Sequence, residues 1–160
     1  MTTFTVAIIA GGQSSRMGTD KSFVPLRGKP LIEHLLDRVG SLGQNETILI
    51  TNCPDDYAHL GLPMFTDVLP GKGALGGIYT AIHASQSPYT LALACDMPFV
   101  NADLLRYMLA LTGSGEVDVV VPRVDDYPQG LHAIYGKECL PAIRARLDAD
   151  RLKVIGFYDQ

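Results

Sequence analysis

The chain of 160 residues, 47% hydrophobic and 19% charged, has material for one domain with a full core. Its net charge of −4 argues against a broad basic face for nucleic acid, so an anionic ligand must be met by a local cluster of cations. Cys53, Cys95 and Cys139 are odd in number, widely spaced and form no CxxC pair, which points away from a disulfide framework or a zinc site.

Met1-Thr2-Thr3-Phe4 leads straight into an apolar run, with no charged leader or membrane-length segment, which predicts a cytoplasmic protein without membrane contact. Val6-Ala7-Ile8-Ile9 reads as a buried parallel strand over residues 5–9. Directly after it comes Ala10-Gly11-Gly12-Gln13-Ser14-Ser15-Arg16-Met17-Gly18-Thr19-Asp20-Lys21. Two adjacent glycines let the backbone turn sharply and approach a ligand closely, which frees N–H groups for an anion. Ser14 and Ser15 add hydroxyl donors, and Arg16 and Lys21 are cations whose natural partner is a polyphosphate. The glycine order is not that of a dinucleotide loop, and Lys21-Ser22 follows Asp20 where a Walker loop needs Gly. The alternative is an ordinary strand-to-helix turn with solvated cations.

Further along, Leu31, Leu35, Leu36, Val39 and Leu42 recur at helical spacing, with Pro30 suited to the first helical position and Gly40 and Gly43 to the end. Strands are expected over residues 46–51, 64–66, 90–94, 117–122 and 132–135. Helices are expected over 75–84, over 102–111 with Asn101 as N-cap, and over 140–147. This alternation predicts an α/β fold: a three-layer, Rossmann-like open sheet, mainly parallel, with helices on both faces. Such sheets hold ligands beyond the carboxyl ends of their strands, which directs attention to the residues closing each strand.

Asn52 follows one strand and offers both a donor and an acceptor to a base edge or ribose, though an Asx-turn beside Pro54 explains it equally well. Asp67 follows another and opens the glycine-rich run Val68-Leu69-Pro70-Gly71-Lys72-Gly73-Ala74-Leu75-Gly76-Gly77. This loop suits a nucleoside, the alternative being a surface connection with Lys72 in solvent. In Leu93-Ala94-Cys95-Asp96-Met97-Pro98-Phe99 a strand delivers Asp96 to a bend before Pro98. A single carboxylate there suits Mg²⁺, and the rival role is capping a turn. Cys95 reads as core packing, and Asp118, Asp125 and Asp126 as surface carboxylates. His34, His59 and His83 share no metal-ligand spacing, while His132 reads best as a strand histidine satisfied by hydrogen bonds.

These stretches together carry a resemblance. The pattern AGG-x-S-x-R-M-G-x-D-K, then Pro25-Leu26-x-Gly28-Lys29-Pro30-Leu31, D-x-x-P-G-x-G-x-L-x-G from Asp67 and C-D-M-P around Asp96 resemble nucleotidyltransferases that join a nucleoside triphosphate to a phosphorylated acceptor. Within that superfamily the chain is most similar to the molybdenum cofactor guanylyltransferases. Pro128-Gln129-Gly130-Leu131-His132-Ala133-Ile134-Tyr135 is similar to the family's Q-P-L-x-A-x-Y stretch, with Gly130 where Pro is usual.

The resemblance implies the nucleotide-diphospho-sugar transferase fold and transfer of GMP from GTP to the phosphate of molybdenum-bearing molybdopterin, with Mg²⁺ as cofactor. It implies nucleotide contacts at Ile9, Ala10, Gly11, Gly12, Lys21, Asn52, Asp67, Gly76 and Asp96, and catalysis by Arg16, Lys21 and Asp96, with Asp96 on the metal. Gln129 and His132 would contact the acceptor, and transient contacts with other molybdenum cofactor pathway proteins follow by analogy. Cytosine versions of this chemistry share the opening loop, so a cytidylyltransferase for molybdopterin or a sugar or polyol phosphate stays open. The family pattern normally continues past Phe157-Tyr158-Asp159-Gln160 into a final strand, an Asn-x-Asn-Thr-Pro segment and a helix. The expectation is therefore one domain over residues 1–160 without that segment. A nucleotide-binding module without turnover is the non-enzymatic alternative.

Overall fold

Six consecutive buried residues, Phe4–Ile9, form strand β1 at the middle of the sheet, where apolar and β-branched side chains face a helical layer on either side. The computed structural model describes residues 2–10 and 21–158, so Gly11, Gly12 and Arg16 lie outside the described residues. Beyond β1 the chain forms β2 (Pro25–Leu26), β3 (Lys29–Pro30), α1 (Leu31–Val39), β4 (Glu46–Ile50), α2 (Pro54–Tyr57), β5 (Met64–Phe65) and α3 (Gly73–Ala84). It continues through β6 (Tyr89–Ala94), α4 (Ala102–Leu111), β7 (Val119–Val120), β8 (Arg123–Val124), β9 (Tyr127–Pro128), β10 (His132–Gly136) and α5 (Leu140–Asp148).

The main sheet runs β5-β4-β1-β6-β10-β7. Strands β5, β4, β1 and β6 are mutually parallel, and β10 runs antiparallel to both β6 and β7. The expected mainly parallel α/β sheet is therefore present, and its one reversed strand matters for the site. Because β10 runs against β6, it enters the sheet at the end where β6 leaves.

Alternation along β1 sorts the core into two layers. Ala7 and Ile9 face α3 and α5, packing with Leu75, Ile78, Ile82, Ile143 and Leu147. Val6 and Ile8 face α1 and α4, packing with Ile32, Leu35, Val39, Leu105 and Met108. Asn101 caps α4 as its sequence predicts, Oδ1 accepting from the N–H groups of Asp103 (2.9 Å) and Leu104 (3.1 Å).

Several boundaries differ from the sequence reading. Helix α1 stops at Val39, with Leu42 buried beyond it, and Pro30 precedes the helix as its cap residue. Helix α3 begins at Gly73, two residues early, and the strand expected over 117–122 shrinks to Val119–Val120. Two small hairpins, β2–β3 and β8–β9, lie outside the expected strands. Each turns on two residues with positive φ, Arg27 (52°) and Gly28 (77°) in one and Asp125 (48°) and Asp126 (67°) in the other, the backbone of a tight hairpin turn.

Candidate active site at the carboxyl rim of the sheet

The register places the exits of four parallel strands side by side. Ile9 pairs with both Ile50 and Ala94, and Ile50 pairs with Phe65. The ladder continues past the last strand residues: the Ala10 N–H donates to Ile50 O (2.8 Å), Cys95 N–H to Ile9 O (3.2 Å) and Thr51 N–H to Phe65 O (3.0 Å). The opening loop thus departs from Ala10 with the β4 exit on one side and the β6 exit on the other. Asn52, Asp67 and Asp96 all leave the same rim.

Asn52 and Asp67 are joined by two hydrogen bonds. Asn52 Nδ2 donates to Asp67 Oδ2 (3.0 Å), and the Asp67 N–H donates to Asn52 Oδ1 (3.1 Å). The Asx-turn alternative for Asn52 gives way to this pairing across 15 residues of sequence. Thr80 on α3 fixes the next step of the chain, accepting from the Val68 N–H and donating to Gly76 O, both at 3.0 Å. Thr51, Thr66, Val68 and Thr80 line an open groove of about 570 Å³ beside the pair.

Gly76 and Gly77 let the first turns of α3 close on their neighbours. A Cβ at Gly76 would sit 2.8 Å from Lys72 Cβ, and one at Gly77 would sit 3.0 Å from Ile9 Cγ2. The Gly76 N–H is already engaged by Lys72 O (3.3 Å), so what this glycine contributes is close packing beneath the loop. Lys72 is not left in solvent, since its ammonium pairs with Asp150 Oδ1 at 3.1 Å.

Lys21 starts a single helical turn, Lys21–Phe23, and its side chain is exposed. Ser22 and Phe23 anchor that turn. The Ser22 hydroxyl lies 2.8 Å from Tyr57 Oη in a buried contact, and the Phe23 and Tyr57 rings pack with centroids 4.8 Å apart. Tyr57 ends α2, the first element after the β4 exit, so the turn that follows the opening loop is tied to the element that follows Asn52. The pin is made by Ser22, Phe23 and Tyr57, which the sequence reading did not single out. Lys29 pairs with Asp37 on α1.

Asp96 stands exposed just past β6, and among the described residues its carboxylate makes no hydrogen bond or ion pair. The turn-capping alternative therefore has no bond to support it. No group of three or more His, Cys, Asp or Glu among the described residues gathers as a metal site. A single exposed carboxylate with no partner among the described residues fits Mg²⁺, which takes one or two protein carboxylates and fills its octahedron with other oxygen ligands and water. Asp96 is the residue that would hold it.

Residues 129–131 reach the same place from β10. The Ala94 N–H donates to Leu131 O (3.1 Å), and His132 lies opposite Leu93. Gln129 is half-committed: Nε2 donates to Tyr127 O (3.0 Å), and its own backbone spans Pro122 O and the His132 N–H. His132 corrects the sequence reading. The residue is buried, with 7% exposure, and Nδ1 is shut from solvent with no hydrogen-bond partner among the described residues. Burial lowers its pKa, and a contact with its own backbone offsets this only in part, falling short of hydrogen-bond geometry. Cys95 packs against the layer facing α1 and α4, as read.

The model of the MobA-like NTP transferase domain matches residues 6–158. The chain belongs to the MobA-like NTP transferase family. A protein named probable molybdenum cofactor guanylyltransferase from Carboxydothermus hydrogenoformans is 37% identical over 160 residues, 100% of this chain and 79% of that protein. A second of that name, from Peptoclostridium acidaminophilum, is 32% identical over 158 residues, covering 96% of this chain and 71% of its own length. Among solved structures, molybdopterin-guanine dinucleotide biosynthesis protein A from Archaeoglobus fulgidus superposes with a TM-score of 0.80 at 24% identity, over 97% of this chain and 78% of that one. The 4-diphosphocytidyl-2C-methyl-D-erythritol synthase of Anaerococcus prevotii shares the fold with a TM-score of 0.70 at 15% identity, over 99% and 83%. This MobA-like chain is thus a nucleotidyltransferase by family, on the nucleotide-diphospho-sugar transferase fold. No helix among its described residues is long and apolar enough to cross a membrane.

Proposed function

We propose that the protein is a cytoplasmic guanylyltransferase that moves GMP from GTP to the phosphate of molybdenum-bearing molybdopterin, releasing pyrophosphate. The observation that carries this reading is the shared rim, where the Asn52–Asp67 pair and the free Asp96 carboxylate flank the departure of the glycine-rich loop at Ala10. The names of the relatives supply the guanylyl group and the molybdenum cofactor, and that of the Archaeoglobus fulgidus protein supplies molybdopterin.

In the reaction a phosphate oxygen of the acceptor bonds to the α-phosphorus, and the bond from that phosphorus to the bridging oxygen of the β-phosphate breaks. The acceptor phosphate is ionised near neutrality, so no general base is needed. The work is to hold two anions together and to neutralise the leaving pyrophosphate. Asn52 and Asp67 present donor and acceptor atoms to the nucleoside, above the packing that Gly76 allows. Ile9 and Ala10 lead the backbone into Gly11 and Gly12, whose N–H groups would meet phosphate oxygens, and Arg16 and Lys21 stand for the pyrophosphate side. Mg²⁺ held at Asp96 would supply positive charge between nucleotide and acceptor. Gln129 and His132 are the residues proposed to meet the acceptor, Gln129 through its Oε1.

Asp96→Asn removes the carboxylate and keeps the shape. Turnover, followed as pyrophosphate release with GTP, Mg²⁺ and molybdenum-bearing molybdopterin, is expected to fall at least about a hundredfold while the thermal midpoint stays at the wild-type value. Wild-type turnover in the variant would remove Asp96 from the metal. Turnover with CTP but not GTP would turn the reading to a cytidylyltransferase.

A further inference from the structure

We propose that Tyr158 and Tyr135 form a positioning relay that sets the acceptor-side loop, residues 129–131, against the exit of β6. The proposal rests on the reading of that loop as the acceptor side of a nucleotidyl transfer. It adds two residues to which the proposed reaction gives no direct role.

The direction of the relay follows from hydrogen-bond chemistry. Tyr135 Oη lies 2.6 Å from Gly130 O and 3.0 Å from Tyr158 Oη. A carbonyl only accepts, and a phenol has one proton to give, so Tyr135 donates to Gly130 O and Tyr158 donates to Tyr135. Both phenols are held protonated by burial, the larger effect at each. Tyr135 is fully buried on β10, and its ring packs with that of Phe157, while Phe157 meets Tyr158 edge-on with centroids 5.0 Å apart.

The loop is built to receive this contact. A Cβ at Gly130 would fall 2.5 Å from Val154 Cγ1, 3.2 Å from Tyr158 Oη and 3.3 Å from Tyr135 Oη. Only a residue without a side chain lets the turn Val154–Phe157 and the two hydroxyls close on this backbone. Immediately beyond Gly130, Leu131 O accepts from the Ala94 N–H, two residues before Asp96. The relay therefore ends on the peptide that places Gln129 and His132 beside the β6 exit.

The segment carrying Tyr158 is itself fastened to the rest of the molecule. Gly156 lies against the Arg146 guanidinium of α5, and the Arg151 N–H donates to Arg146 O at 2.9 Å. Asp150, at the head of the segment, pairs with Lys72 in the glycine-rich loop at 3.1 Å. One stretch of nine residues, 150–158, thus touches both the nucleoside loop and the acceptor-side loop.

The test compares Tyr158→Phe and Tyr135→Phe with wild type by amide hydrogen exchange and by steady-state kinetics. Both variants keep the rings and lose hydroxyls. Exchange across residues 129–131 is expected to quicken in each, about threefold to tenfold, with peptides from β1 and β4 unchanged. The KM for molybdenum-bearing molybdopterin is expected to rise by a similar factor, with the KM for GTP held within twofold of wild type. Tyr158→Phe, which leaves the Tyr135–Gly130 bond in place, keeps the proposal testable if Tyr135→Phe does not fold. Unchanged exchange over residues 129–131 in Tyr158→Phe overturns the relay, as does an equal rise in both KM values. A wild-type enzyme inert toward that acceptor overturns the acceptor reading instead, and exchange alone then decides whether the hydroxyls hold the loop.

Discussion

The imidazole of His132 is the residue whose environment the sequence misrepresented most. A histidine in a strand is usually satisfied, but this one is buried with Nδ1 unpartnered among the described residues, and burial lowers its pKa below the ordinary 6.5. The sign of the consequence is fixed. As pH falls through the unfolded value, the unfolded chain takes up the proton before the folded one does, so stability declines, by at most about 1.4 kcal/mol per pH unit for one group. The loss continues until the folded imidazole also protonates. In urea titrations between pH 7.5 and 5.5, His132→Gln is expected to lose stability less steeply on acidification than wild type; equal slopes would show that His132 charges freely in the folded state. The Asn52–Asp67 pair carries a related lesson, because each residue alone has a bland local explanation and only the fold joins them to each other by two hydrogen bonds.

Among the elements, α3 is where packing and site meet. Alanine is favoured over glycine in a helix interior by about 1 kcal/mol, which alone would make Gly77→Ala stabilising. A Cβ there would stand 3.0 Å from Ile9 Cγ2, however, and Ile9 is buried in a strand paired on both sides. Overpacking costs about 1–3 kcal/mol, so the variant should be less stable by about 1 kcal/mol in thermal or urea unfolding. Gly113→Ala serves as the control, since nothing lies within 4 Å of a Cβ there, and it should be neutral or slightly stabilising.

The same elements show what the chain reveals of itself. Strands β1, β4 and β6 were legible because strands at the middle of a parallel sheet carry mostly apolar and β-branched residues, and the start of α4 was legible because Asn101 is a local cap. The β8–β9 hairpin was hidden because Asp125 and Asp126 hold the positive-φ pair that an Asn-Gly turn would have announced. The anchors of the site, Ser22 on Tyr57 and Tyr158 on Tyr135, join residues 35 and 23 positions apart, and no periodicity in the intervening sequence encodes such bonds.

At the scale of the whole molecule, two apolar layers clamp the sheet, and the polar residues that follow the strand exits, Asn52, Asp67 and Asp96, belong to neither. A ligand that binds only the folded rim raises stability by mass action, about 2.7 kcal/mol at a hundred times its dissociation constant. In thermal melts with Mg²⁺, GTP is expected to raise the midpoint by several degrees and CTP by much less; the reverse order would place cytosine in the site. The separation of rim from layers also bears on how such a protein acquires new substrates. Positions 52, 67 and 129 lie outside the buried apolar clusters. Under the function proposed above, combinatorial libraries confined to them are expected to vary base and acceptor preference with few unfolded clones, which would open selectivity in this scaffold to directed evolution without a prior round of stabilisation.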